Sequence, residues 1–225
     1  MSRGPASRPS RAGKNSMNIP QVYPLPPENL REPGSEMEPA PEVVDWLRGM
    51  FIDEGAPMLN PRHAHLRKVD LVAMWTNAEY VEGGVLVVGR AEIVNVNGKP
   101  WDRIDKIDRL CMLHGNIPQA RIWLYGPTWF ERGFWRACSV GEHELGHYAH
   151  KENKEGEKLF DDFDRPVLTK QTHDVEEHVF IMERYGVDYC AGRTRDFVEA
   201  ALRPPLFAPP SFETRAYACG CGAKV

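Results

Sequence analysis

Apolar residues recur at helical spacing through the middle of the chain. From Pro127 onward, Phe130, Phe134, Ala137 and Val140 fall on one stripe, Trp129 widens it, and Leu145 and Tyr148 continue it. Pro127 suits a first helical position, so the pattern predicts one long amphipathic helix. A second such pattern covers Thr172 to Gly186. Val175, Val179 and Met182 form its apolar stripe with Ile181 and Tyr185 on the flank, while His173, Glu176 and Glu177 share another face with Phe180. Acidic residues in its first turn and Gly186 at its end fit a helix start and stop. An earlier helix begins near Pro41, with Val43, Val44, Leu47, Met50 and Phe51 apolar. A short last one runs from Arg195 to Leu202 and stops at Arg203-Pro204-Pro205.

Strand patterns lie between. Val69 to Trp75 reads as one strand. Gly84–Gly89 and Ala91–Val96 read as a bent strand or two short ones, turned at Asn97-Gly98. Gln119 to Tyr125 reads as a strand just before the long helix, with Ile122 and Leu124 facing one way and Arg121, Trp123 and Tyr125 the other. That strand is either an open edge to which an extended peptide could add, or an internal strand. Residues 1–40 hold many Pro, Ser, Gly and Arg residues and few aliphatics, so they read as a disordered or extended arm. The remainder divides into a domain over 41–203 and a flexible tail over 204–225. The expected architecture is α+β: a single zincin-like domain, its small, mostly antiparallel sheet packed on the long helix.

The long helix ends in His143-Glu144-Leu145-Gly146-His147. This is an HExxH motif. Two histidines four residues apart lie on one helical face, where a single Zn²⁺ accepts both at about 2.0–2.1 Å. Glu144 follows the first ligand and can take a proton from water at the metal. A catalytic zinc usually has three protein ligands. The residues offer His173, Glu176 or Glu177 on the 172–186 helix. A glutamate would make a thermolysin-type site and His173 an all-histidine one. In either case the ligands come from two helices joined by a charged loop. His150 could face the same side as His147, but three ligands on one short stretch crowd together. His63, His65, His114 and His178 read as ordinary polar residues.

The segment from Glu142 to Gly186 resembles the phage metallopeptidase family, a relative of the SprT-like zinc peptidases. The resemblance rests on HELGH at 143–147, on Thr172-His173-Asp174-Val175-Glu176-Glu177-His178, and on the closing Tyr185-Gly186. The charged stretch Lys151–Gly156 also matches, and weaker likeness reaches back to about residue 40. Two positions depart from the family pattern: Thr172 stands where it has Gly, and His178 where it has Phe. The resemblance implies a Zn²⁺-dependent metallopeptidase with His143, His147 and His173 as metal ligands and Glu144 as the catalytic base. It implies a peptide or protein substrate, the cytoplasm of a host cell as its setting and, through the SprT-like kinship, DNA-associated proteins as targets. Asp174 or Glu176 would orient a ligand imidazole; Tyr185 and Arg184 are candidate oxyanion donors.

Composition trims the alternatives. With 225 residues, 42% hydrophobic and 27% charged, the chain can bury one full core. A net charge of −4 gives no general pull toward nucleic acid or membrane, and no apolar run approaches the roughly 20 residues a bilayer span needs. Met1–Ser16 carries cations but no apolar core, so it does not read as a secretory signal. Five cysteines at irregular spacing make a poor disulfide framework. Cys138 reads as a buried thiol. Cys219-Gly220-Cys221 reads as an unmetallated tail, with half a zinc knuckle as the minority reading. Two rival classes remain: a non-catalytic phage protein clamped by zinc, and a nucleic-acid-associated module using the basic arm and the Cys-Gly-Cys tail.

Overall fold

The computed structural model describes residues 19, 21–82, 84–173, 175, 186–187, 193–207 and 218–219. Its centre is a sheet of strands β1 (Met37–Pro39), β2 (Leu71–Thr76), β3 (Val81–Glu82), β4 (Val85–Ile93) and β5 (Ala120–Tyr125), in the order β1-β2-β5-β4-β3. The β1/β2, β5/β4 and β4/β3 pairs are antiparallel; β2 and β5 are parallel. Helix α1 (Pro41–Leu47) widens into a π-helical turn over Arg48–Ile52, and α2 (Pro100–His114) joins β4 to β5. Helix α3 (Gly126–Gly146) follows β5 directly. Then come the hairpin β6 (Tyr148–His150) and β7 (Leu168–Lys170), helix α4 (Thr194–Ala201), and β8 (Ala218–Cys219), which pairs parallel to β4. The protein is an α+β domain with a small, mostly antiparallel sheet, as the hydrophobic pattern predicts. Among the described residues, no helix is long and apolar enough to cross a membrane.

The core lies between one face of the sheet and helices α1 and α3. Val43, Leu47, Phe51, Trp75, Ile122, Leu124 and Leu145 are all fully excluded from water. Trp129 of α3 meets Trp46 and Trp75 edge-on, with ring centroids 5.9 and 5.4 Å apart, an arrangement aromatic quadrupoles favour.

Several sequence expectations change here. The strand 120–125 is internal, flanked by β2 and β4, so it offers no open edge. The predicted alternation still holds for buried Ala120, Ile122 and Leu124, but Tyr125, expected on the other face, is buried too. The stretch 84–96 forms one continuous strand that stops at Ile93. The long helix is broken: Gly133 has φ 71° and ψ 175°, a conformation that glycine alone adopts cheaply. Phe130 precedes that kink, so it leaves the apolar stripe and is 42% exposed. Within the segment read as a disordered or extended arm over 1–40, residues 21–40 pack on the domain, with a 3-10 turn over Glu28–Leu30 before β1. The indole N–H groups of Trp46 and Trp129 donate to the carbonyls of Val22 and Pro24, and Leu30 is fully buried. An extended, proline-rich segment leaves its carbonyls unpaired, and indole donors suit them. Of the helix expected over 172–186, residues 174 and 176–185 lie outside the described residues, and with them Asp174, Glu176, Glu177, His178, Arg184 and Tyr185.

Candidate metal centre

The second half of α3 carries His143 and Glu144 into its last turn, and His147 is the C-cap residue. Because β6 begins at the next residue, the helix end and the hairpin are one continuous unit. The ladder pairs Tyr148 with Lys170 and brings Gln171 opposite His147. Gln171 N–H donates to the His147 carbonyl at 2.9 Å, and the His147 Nδ1–H donates to the Gln171 carbonyl at 2.7 Å. A carbonyl can only accept, so this contact fixes the proton on Nδ1. In the neutral ring the lone pair therefore sits on Nε2.

That lone pair faces two other imidazoles. His147 Nε2 lies 3.2 Å from His143 Nε2, and His173 Nε2 lies 3.3 Å from the same atom. Ring centroids of the three are 4.9 to 5.1 Å apart. Nitrogens bound to one tetrahedral Zn²⁺ at about 2.05 Å would stand about 3.3 Å apart. The two measured edges match that spacing. The donor chemistry fits as well. Desolvation, followed by the neighbouring His147 and His173, pushes His143 down to about 4, although part of its ring meets solvent. Burial also lowers His147. Both rings are thus neutral near pH 7, the form that binds a metal. Among the described residues, these three histidines are the group able to hold an ion.

The sequence placed His173 at the start of the 172–186 helix, most of which lies outside the described residues; what the structure describes is the segment that leads up to it. His173 follows β7 by three residues, so the β6/β7 hairpin carries it back to the helix end. The intervening segment is a structured meander rather than a plain charged loop: bridges join Glu152 to Lys158 and Phe160 to Pro166. The Asn153 side-chain oxygen accepts the N–H groups of Glu155 and Glu157 to close its turn.

Glu144 leaves the helix about 100° round from His143 and runs onto the sheet. It is 1% exposed, and burial pushes its carboxyl up to about 8, opposed by an N–H bond from Ala91 and by the Lys170 charge. Gly89 makes room for it: a Cβ there would stand 2.5 Å from Glu144 Oε1. The position of this carboxylate relative to β4 is informative. Val94 N–H donates to Gln119 on the β5 side, whereas Val87 N–H donates to Tyr80 on the other. Backbone groups alternate along a strand, so Val87, Gly89 and Ala91 all face the outer edge of β4. Glu144 sits at that edge.

On the opposite flank, a cavity of about 460 Å³ opens beside His143, with Met58, Trp135, Cys138, Glu142 and Phe207 among its walls. Glu142 accepts from Asn60 Nδ2 at 2.8 Å. His63, 3% exposed, comes within 3.9 Å of Glu142, but burial pushes its pKa down to about 4, so near neutral pH this is not an ion pair. His150 turns away from the centre, bonding the Leu159 carbonyl at 2.8 Å and stacking on His65 at 6.0 Å. Cys138 is buried, as expected. Cys219 belongs to β8, with its backbone opposite Gly89, while Cys221 lies outside the described residues.

Sequence reasoning overlooked Gln171, Gly89 and the Ala91 N–H. The first two act through backbone or through an absent side chain, so their residue types gave no signal. A family model described as "Putative phage metallopeptidase" matches residues 44–202. No curated protein and no solved structure matches the chain.

Proposed function

The chain belongs to the phage metallopeptidase family, and from that premise we propose that it is a zinc-dependent peptidase acting on peptide or protein substrates in the host cytoplasm. The observation that carries this reading is the trio of ring nitrogens within 4.8 Å of one another, two of their separations matching those of ligands on one tetrahedral ion, with a buried carboxylate one residue from the first of them. His143, His147 and His173 would hold the ion. Zn²⁺, when bound, lowers the pKa of a water toward about 7 and polarises the scissile carbonyl.

The protein's own groups account for the rest. The Gln171 carbonyl holds His147 in the tautomer that presents Nε2, as outer partners of ligating imidazoles do. Glu144 accepts the proton of the attacking water at a carboxylate oxygen and returns it to the leaving amine. Burial raises the proton affinity of this carboxyl, to about 8 with no cation beside it, and the charge of a bound Zn²⁺ would oppose that rise and keep the group ionised to accept the proton. The Ala91 N–H steadies the same carboxylate. A site that served only to clamp two segments with zinc would not need a desolvated base beside it. The cavity beside His143, walled by Met58, Trp135 and Phe207, suits a bulky apolar side chain of the substrate. DNA-associated proteins are the targets that the SprT-like resemblance suggests.

Glu144→Gln tests the reading. The variant should retain one zinc per chain and lose cleavage of an unfolded protein substrate. Cleavage at the wild-type rate would remove Glu144 from the mechanism.

A further inference from the structure

The outer edge of β4 is occupied near Glu144 by another part of the chain. β8 pairs with it in parallel, Val87 opposite Ala218 and Gly89 opposite Cys219. The same row of edge groups continues to the Ala91 N–H, which the Glu144 carboxylate accepts. A strand laid on this edge therefore runs up to the base itself. Glu142 and Glu144 leave α3 on either side of His143, about 100° each way. The C-terminal segment reaches both flanks: Phe207 lines the cavity on the Glu142 side, and β8 covers the edge on the Glu144 side.

We propose that the outer edge of β4 binds extended polypeptide by backbone pairing, and that the chain's own C-terminal strand, Ala218–Cys219, occupies it in cis, capping the site against substrate. Backbone addition to a sheet edge takes any extended sequence without a proline at the bonding positions. The ligand class is thus unfolded or extended segments rather than folded surfaces. Chain continuity supplies the cap at an effective concentration in the millimolar range. Against a trans affinity of about 10 μM, such a cap would weaken an incoming strand about a hundredfold. The role given to the edge rests on the peptidase reading; the pairing and its occupant do not.

The test uses binding, so turnover is not needed. A fluorescein-labelled peptide of residues 212–225 is titrated by anisotropy into two zinc-loaded proteins, both carrying Glu144→Gln: the full chain, and a chain ending at Phe207. The expected result is binding to the shortened chain and binding at least about tenfold weaker to the full one. Equal affinity for both, or no binding to a shortened chain that still melts cooperatively and holds zinc, overturns the proposal. If the shortened chain does not fold, Ala218→Pro in the full chain replaces it. Proline removes a backbone N–H and disfavours the strand, so the Gly89 amide should exchange about tenfold faster or more if β8 covers it. Unchanged exchange is fatal to the cap. With Glu144 intact, the shortened chain should show a lower KM for a reduced, unfolded protein, and peptide 212–225 should inhibit it competitively. An unchanged KM would leave β8 paired but refute the edge as the substrate's. If neither the full nor the shortened chain cleaves anything while the binding arms succeed, the peptidase reading fails and the pairing stands.

Discussion

Adding one methyl group at Gly89 tests the placement of the base without touching a metal ligand. A Cβ built there stands 2.5 Å from Glu144 Oε1, 3.0 Å from Cδ and 3.1 Å from Cγ. Ordinary contacts begin at about 3.4 Å, so the carboxylate must retreat by about 1 Å. It has little room to do so, being 1% exposed and held by the Ala91 N–H. A misplacement of about 1 Å at a reacting group costs on the order of a hundredfold in rate, or about 2.7 kcal/mol of activation free energy. Overpacking adds about 1–3 kcal/mol of lost stability. The backbone contributes no strain, since Gly89 is not among the positive-φ glycines.

Gly89→Ala should therefore bind zinc with wild-type stoichiometry by elemental analysis and cleave about a hundredfold more slowly. General damage could mimic that result, and a double-mutant cycle separates the two. If the methyl acts only through Glu144, then Gly89→Ala combined with Glu144→Gln is no slower than Glu144→Gln alone. A Gly89→Ala protein with kcat within twofold of wild type would refute the argument, because it would mean that the carboxylate does not work from this position on β4.

The remaining expectations concern metal and pH. His173→Ala should weaken zinc binding at least about a hundredfold in a chelator competition, since a three-ligand site is reduced to two, whereas His150→Ala, bonded to Leu159 instead, should leave it unchanged. Equal losses in the two variants would refute the ligand assignment. His63 is buried and neutral, with a pKa of about 4 against 6.5 for the free group. The unfolded chain takes the proton first, so His63's contribution is full above pH 6.5 and falls away as the pH drops toward 4. The whole effect is about 3 kcal/mol. The melting temperature of wild type should consequently fall more steeply over that interval than that of His63→Gln; parallel curves would show that His63 takes up its proton freely in the fold.

What could be read from the sequence depended on whether a residue's type carries the information. Periodicity located α1, β2 and β5 to within two residues because those segments pack against the core, and it located α4 as closely although that helix buries only Thr194. It missed the kink at Gly133, since a glycine inside a helical pattern looks the same whether or not its φ is positive. It assigned nothing to residues 100–114. Helix α2 buries only Leu110 and leaves Trp101 85% exposed, so no buried stripe marks it. The docking of residues 21–40 was not legible because composition reports a shortage of aliphatic residues, whereas the docking uses main-chain carbonyls and two distant indoles.

The candidate site divides along the same line. His143, Glu144 and His147 are legible because helical geometry alone fixes their mutual placement. His173 was within reach of pattern and resemblance, but the means of its delivery was not. The 172–186 pattern put His173 at a helix start, and it is silent on what precedes that start: the reciprocal pair of bonds between His147 and Gln171, made one strand length into the return of a hairpin. Such bonds use groups that every residue possesses, so no residue type announces them. The same holds for the edge of β4, where an N–H, a missing Cβ and a backbone-paired strand define the surroundings of Glu144. Residue identity thus specifies which groups can do chemistry here, and the backbone decides which direction they face.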